Sequence, residues 1–520
     1  MHRISAPRLF CAAAAATLCL ACSASAQSAS PARFPANNAV RVNPDAHLVL
    51  TFSSAPAIGK SGQVRIYDAA SHTLVDTLDL SIPAGPDPSR RVTAPPAQGA
   101  QLDPSIPTSP ATTTPAVRVT PPDLHSYQLT TVGGLDNFHF YPILVHGNVA
   151  TIYPHNDALH YGHKYTVQID PGVLTPATGT FAGLTTDTAW TFTTKSAPPV
   201  ANATRVVVAA DGTGDFNTVQ GAIDFVPAHP AQRVTIFIKN GTYEELVFFR
   251  DKSNLTIRGE DRDKVQVGYA NNSGFNPPQP GPNRRCAFSV YNSTGIELAN
   301  FSVNNYAYGQ AEGLLISGSK NIVDHMNIKG SGDALNLRGP VYLTDSRIVG
   351  DGDTILGVGP AFFNHCELSS MGPFMWIRNT DANHGNVFLN STFVTRERPA
   401  PAAPAPAPPS TTAAPARPPV SAVLARLPNN HGLNYPYAEA VLINCHLKGI
   451  PPAGWGPIED DTTHLHLWEF NSTDLDGHPI DTTQRHHVSK QLTQPQDAQT
   501  IANYSNPAFV LDGWTPVVSN

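Results

Sequence analysis

The chain has 520 residues, 41% of them hydrophobic and only 14% charged, which provides apolar material for a sizeable core and excludes a disordered chain. Its net charge is −7, and no basic run or basic face is present to suit a nucleic-acid binder. The 49 prolines are about twice the usual ~5% and cluster, so they mark linkers and insertions.

The first residues are predicted to be an export signal. Arg3 and Arg8 form a basic start, Cys11 to Cys22 is apolar, and Ala24-Ser25-Ala26 forms a small-x-small cleavage site before Gln27. The apolar run is too short for a membrane anchor, which needs about 20 residues. Lipoprotein processing at Cys22 fits poorly with Cys19-Leu20-Ala21 before it. No later stretch is long and apolar enough to span a bilayer. Removing residues 1–26 leaves 40 acidic residues against 31 basic ones, because Arg3 and Arg8 leave. Three cysteines leave too. Cys286, Cys366 and Cys445 remain, without zinc-site spacing, and read as small buried apolar residues.

Residues 33–196 read as all-β. Strand-like runs are His47–Phe52, Gln63–Tyr67, Asn148–Ile152, Lys164–Ile169 and Thr188–Thr194, separated by turn residues. A β-sandwich buries such strands. A Pro/Ala/Thr-rich stretch at 82–122 interrupts it as a long loop, and 197–203 reads as a linker. The Pro35-Ala-Asn-Asn-Ala-Val40 start and Trp190-Thr-Phe-Thr-Thr194 end resemble bacterial Ig-like modules of secreted proteins.

From 204 to 520 short strands recur. The apolar residues ending them align as Val303, Ile328, Ile348, Leu368, Val394 and Leu447, with spacings of 25, 20, 20, 26 and 53. The last interval holds a Pro/Ala-rich insert at 398–420. A β-type repeat of this length predicts a solenoid, and the lack of a Leu-x-x-Leu-x-Leu ladder favours a parallel β-helix. Phe216 to Val226 has Val219, Ala222, Ile223 and Val226 on one helical face and would cap the open N-terminal end.

The repeat places two acids in register. Asp333 lies 15 residues before Ile348, and Asp353 lies 15 before Leu368. Their surroundings match as well: Gly332-Asp-Ala-Leu335 and Gly352-Asp-Thr-Ile355. Strands of adjacent coils lie about 4.8 Å apart, so the two carboxyls should sit side by side, one holding its proton more tightly. Such a pair can serve as acid and nucleophile. Turn-forming and calcium-chelating roles are the alternatives. Arg426 could hold one carboxylate bidentately, or lie on the surface. Gln310, one coil before Asp333, could donate to an oxyanion, or face solvent.

The ordered motifs carry a resemblance. Val206-Val-Val-Ala-Ala-Asp211-Gly-Thr-Gly-Asp-Phe216, Asn240-Gly-Thr-Tyr-Glu-Glu245, Leu255-Thr-Ile-Arg-Gly259, Gln310-Ala-Glu-Gly-Leu314, Gly332-Asp-Ala-Leu335, Asp353-Thr-Ile-Leu-Gly357 and Leu424-Ala-Arg-Leu-Pro428 occur in the order of the pectin methylesterase (pectinesterase) family. Residues 204–517 resemble that family, which implies a right-handed parallel β-helix and a carboxylic ester hydrolase. The resemblance implies that Asp353 attacks the C6 carbonyl of a methylated galacturonate. It implies that Asp333 protonates the leaving methanol and then activates water, that Arg426 holds Asp353, and that Gln310 steadies the oxyanion. It implies no metal and no cofactor. The partner would be pectin or a related cell-wall polysaccharide, with no nucleic acid, and the protein would act as a monomer, secreted or periplasmic.

Three departures stand out. The family's glutamine before the acid/base Asp is Gly332 here, which removes a donor worth about 10²–10³ in rate. The tryptophan after the arginine is missing, and Trp376 could replace its stacking surface. Glu312 adds a negative charge that would disfavour a polyanionic substrate unless protonated or turned away. A catalytically weak polysaccharide-binding β-helix, an esterase for another sugar ester, and a calcium-dependent lyase on the same solenoid are the competing readings.

Overall fold

The computed structural model describes residues 30–87, 126–397, 421–428, 435–459 and 461–519. The expected export signal, nearly all of the 82–122 loop and the insert at 398–420 lie outside the described residues.

The N-terminal part is a two-sheet sandwich. One sheet orders Ala32–Phe34, Leu48–Thr51, Val149–Ile152 and Ile143–His146, all antiparallel. The other orders Ala39–Val42, Thr191–Thr194, Lys164–Ile169, Gln63–Asp68 and Leu74–Asp79, antiparallel except for its first pair. Alternation along the strands sends Leu48, Leu50, Val64, Ile66, Val167, Ile169 and Phe192 into one core around Trp190. The hairpin Leu129–Val132 and Leu135–His139 instead packs its Val132, Leu135 and Phe138 against Leu246, Phe248 and Phe275 of the next part of the chain.

That next part is a parallel β-helix. A 17-stranded sheet and an 8-stranded sheet form its walls, with every inter-coil pairing parallel. Each central coil has three strands, as in Leu314–Ser319, Asn321–Asp324 and Asn327–Lys329. The following coil repeats them as Leu335–Arg338, Val341–Thr344 and Arg347–Val349. Inward residues stack in columns: Leu314, Leu335, Ile355 and Met375 on one wall, and Val323, Leu343, Phe363 and Phe388 on the next. The core is thus a one-dimensional stack in which each coil buries its neighbours.

The third wall corrects the expected alignment. Val303, Ile328, Ile348 and Leu368 do pair in sequence. Leu368 then pairs with Phe393, and Phe393 with Leu447, while Val394 faces the other way. Phe393 is fully buried and Val394 half-buried. A one-residue slip in a strand exchanges its faces, and burial of the larger side chain decides the register.

The helix Val219–Phe225 covers the first coils, burying Val219, Ala222 and Ile223. Thr218 caps it by accepting the Gly221 N–H. Glu245, from Gly241-Thr-Tyr-Glu-Glu245, accepts the Val219 and Gln220 N–H groups at 2.8 and 2.9 Å. Asp45 of the sandwich accepts the Asn217 and Thr218 N–H groups, both at 2.8 Å. At the other end, helices Ala498–Tyr504 and Pro507–Val510 lie on the outer face of the coils, closing over Phe362, Val387, Val441 and Ile443. Cys286, Cys366 and Cys445 are free and buried.

Candidate active site

The chemistry gathers on one solenoid wall, at the turns that feed its strands. Leu314 pairs with Leu335, and Leu335 with Ile355. The residues two places earlier on each coil are therefore Glu312, Asp333 and Asp353. Backbone hydrogen bonds hold this register outside the strands: Gly313 N–H to Ala334 O at 3.0 Å, and Ala334 N–H to Thr354 O at 3.0 Å. Three acidic residues thus stand in a column along the wall, on coils about 4.8 Å apart.

The two aspartate turns look alike in sequence but differ in backbone. In the first, Gly332 takes the left-handed conformation, at φ 70°. In the second, Asp353 itself does so, at φ 46°. Aspartate tolerates this region better than most residues because its short side chain can bond locally. The two carboxyls consequently meet different partners.

Asp353 is clamped by Arg426. The guanidinium Nε donates to Asp353 Oδ1 at 2.7 Å, and Nη2 donates to Oδ2. Arg426 occupies the outward column of the same wall, beside Trp376, which pairs with it in register. A bidentate guanidinium stabilises the anionic carboxylate and fixes its orientation. The hydrogen bond to Asp353 raises the Arg426 pKa against its burial.

Asp333 is different. It is 9% exposed. Burial first, and then the charge of Glu312, push it up to about 8, with Asp353 adding to the rise and Arg285 and Arg378 opposing it. Asp333 therefore holds its proton more tightly than an ordinary carboxyl, while Asp353 lies against the Arg426 guanidinium. That is the arrangement an acid and a nucleophile require.

The other expected residues sort differently. Gln310 is exposed at the rim, two residues before Glu312. Trp376 is half-buried, with the Arg378 guanidinium 4.8 Å and the Arg426 guanidinium 5.6 Å from its ring centre. Glu312 does not reach the substrate side. It is fully buried, and the Arg285 Nε donates to both of its oxygens at 2.7 Å while Nη2 donates to Oε1. Of the outcomes left open for it, the charge is turned inward, where Arg285 meets it from the preceding coil. Gly332 cannot be exchanged freely for the family's glutamine: its φ is left-handed, and a Cβ there would lie 2.5 Å from the Gly309 carbonyl oxygen.

Several residues here were missed by sequence reasoning. Arg285 is one, and Arg378 another. The signal for Arg285 was an acid, Glu312, in an otherwise apolar coil position, which demands a buried cation nearby. Tyr306 and Tyr308, 46% and 85% exposed, stand just before Gln310. Two exposed aromatics ahead of a polar turn were the available signal.

A parallel β-helix carrying two aspartates at equivalent places on successive coils, one of them paired with arginine, is the class that fold and site define. Residues 205–392 match the Pectinesterase family model, and this stretch is a pectinesterase-family domain. The chain is 30% identical over 185 residues to a probable pectinesterase/pectinesterase inhibitor 19 of Arabidopsis thaliana, covering 35% of each chain. It is 28% identical over 257 residues to a pectinesterase of Ralstonia solanacearum, covering 41% of this chain and 65% of that protein. The matched stretch spans about a third of the length of the Arabidopsis relatives. Among solved structures, pectin methylesterase from carrot aligns with a TM-score of 0.46 at 22% identity, covering 59% of this chain and 93% of that one. Pectin methylesterase PemA from Erwinia chrysanthemi aligns with a TM-score of 0.46 at 22% identity, covering 60% and 98%.

Proposed function

We propose that the protein is an exported carbohydrate esterase that hydrolyses the C6 methyl esters of methylated homogalacturonan to carboxylates and methanol. The observation that carries this reading is the Arg426-clamped Asp353 at the place on its coil that the buried Asp333 holds on the preceding one. In the first half-reaction the Asp353 carboxylate adds to the ester carbonyl. The C–OCH₃ bond then breaks, and Asp333 gives its proton to the departing methoxide, leaving an anhydride between Asp353 and the sugar acid. In the second half-reaction Asp333, now a carboxylate, takes a proton from water as the water attacks the anhydride, and Asp353 is released. Gln310 donates to the oxyanion. Trp376, Tyr306 and Tyr308 offer ring faces to the polymer, and the guanidiniums of Arg378 and Arg426 offset its negative charge.

The same proposal takes 1–26 as an export signal, 33–196 as an Ig-like module, 197–203 as a linker and 204–520 as the catalytic domain, acting as a monomer on the cell-wall polymer. No helix among the described residues is long and apolar enough to cross a membrane. One observation favours a second reading, an esterase for a different sugar ester: the left-handed Gly332 turn leaves no side-chain donor where the family has glutamine.

Product analysis of methylated homogalacturonan, with and without a calcium chelator, tests the assignment. The esterase predicts free carboxyl groups and methanol in equal amounts, no unsaturated sugar, and indifference to the chelator. Unsaturated, chelator-sensitive products would establish the lyase reading instead.

A further inference from the structure

The carboxyl column has three members, and the proposed chemistry uses two. Glu312 is the third, fully buried one coil before Asp333. A buried carboxylate requires compensation, and Arg285 provides it through both Nε and Nη2. The same Nη2 lies 3.4 Å from Asp333 Oδ2. The column is thus bracketed by two guanidiniums, Arg285 on Glu312 and Arg426 on Asp353, with Asp333 in the middle. Asp333 receives only the long edge of one of them, and a carboxyl neighbours it on each side.

We propose that Glu312 and Arg285 are positioning residues for Asp333: Glu312 sets a second negative charge against it, so that the proton of the column resides on Asp333, and Arg285 holds Glu312 in place and orients the Asp333 carboxyl from one side. The role rests on the esterase reading, since a resident proton on Asp333 is what the leaving methoxide needs. It also turns the apparent liability of Glu312 into a function. An acid that would repel a polyanionic substrate at the surface raises the proton affinity of the general acid from below, with its own charge matched by arginine.

The groups facing Asp333 come from every neighbouring coil. Glu312 and Arg285 lie on the preceding side, Asp353 and Arg426 on the following side, and Arg378 faces it from the end of the strand Met375–Ile377. Cys286, buried next to Arg285 in the chain, is held well above the ordinary thiol range by burial and by the charge of Glu312, and so stays neutral. Ser331 turns outward to Asp351, which Arg396 pairs at 3.0 Å.

Two readouts on the full-length protein test the proposal. The first is the pH profile of kcat/KM on methylated homogalacturonan. Glu312→Gln is expected to move the alkaline limb to lower pH by about one unit or more, with KM little changed, because one like charge is gone while Arg285 stays. The second needs no substrate: a ¹³C carboxyl titration of Asp333, its signal identified by its loss in Asp333→Asn. The titration midpoint is expected to fall in Glu312→Gln. The double variant Arg285→Gln with Glu312→Gln removes both buried charges, and so serves if the single variant does not fold. It is expected to show a smaller fall, since Glu312 acts on Asp333 more strongly than Arg285 does. An unchanged midpoint in a folded variant overturns the proposal and makes the pair structural. A shifted midpoint in a protein that hydrolyses no methyl ester supports the proton placement and overturns the esterase reading instead.

Discussion

At the scale of single residues, the chemistry rests on how one solenoid turn differs from the next. Asp333 and Asp353 were legible because a 20-residue repeat and a repeated Gly-Asp dipeptide put them in register. The resemblance supplied their separate roles and Arg426 as the partner of Asp353. The positive φ of Asp353, and Arg285 and Arg378 near Asp333, were not legible, because they depend on turn geometry and on other coils. Whether the Glu312 charge is turned away was left open by the sequence, because its partner lies 27 residues earlier in the chain and no local pattern links them. Gly332 looked like a lost donor, and the structure shows why glycine stands there. Gly332→Ala is expected to destabilise the protein by roughly 1–3 kcal/mol, read from the denaturation midpoint, because the side chain would be held at φ 70° against the Gly309 carbonyl. A neutral substitution would mean that the turn relaxes and that a glutamine donor could be restored there.

At the scale of elements, the repeat gave away the solenoid because each coil needs inward apolar residues at fixed places. The left-handed turn residues His325, Asp345, His365, Asn390 and Asn444 follow the same logic. They recur just before the third-wall strands because Asn, Asp and His tolerate that conformation. The alignment slipped by one residue only at Val394, where two adjacent apolar residues, Phe393 and Val394, left the inward one ambiguous. Their energetics separate them. Phe393→Ala should destabilise by about 3–5 kcal/mol, as expected for a buried aromatic, and Val394→Ala by much less. Equal losses would contradict the register. The C-terminal helices were missed because their apolar residues are few and the segments short.

At the scale of the whole molecule, the sandwich and the solenoid meet around the helix Val219–Phe225. Asp45 from one side and Glu245 from the other bond its first turn, and Asp224 lies on the same helix. Burial raises all three, Glu245 to about 8 and Asp224 to about 7, so each is stabilised in its neutral form. Groups whose native pKa is raised contribute stability that is complete below their unfolded values, near 4, and is lost as pH rises through the native ones. Unfolding free energy should therefore decline from about pH 4.5 to about pH 8. Glu245→Gln, which keeps the size and removes the charge, should flatten that decline. Glu439 runs the other way: His384 and His466 hold it down at about 2 despite its burial, so its contribution is lost only as pH falls below about 4.5. A stability profile that rises from pH 5 to pH 8 would contradict the acidic junction.

The central claim concerns two stacked aspartates with divided labour, and methanol release from highly methylated pectin tests it most directly. The measurement compares the wild type with Asp353→Ala and Asp333→Asn, each checked for an intact fold. The wild type should release methanol, and each variant should lose on the order of 10⁴-fold or more, the scale on which removing one member of a catalytic unit acts. Release that persists in Asp353→Ala, or none from the folded wild type, would contradict it.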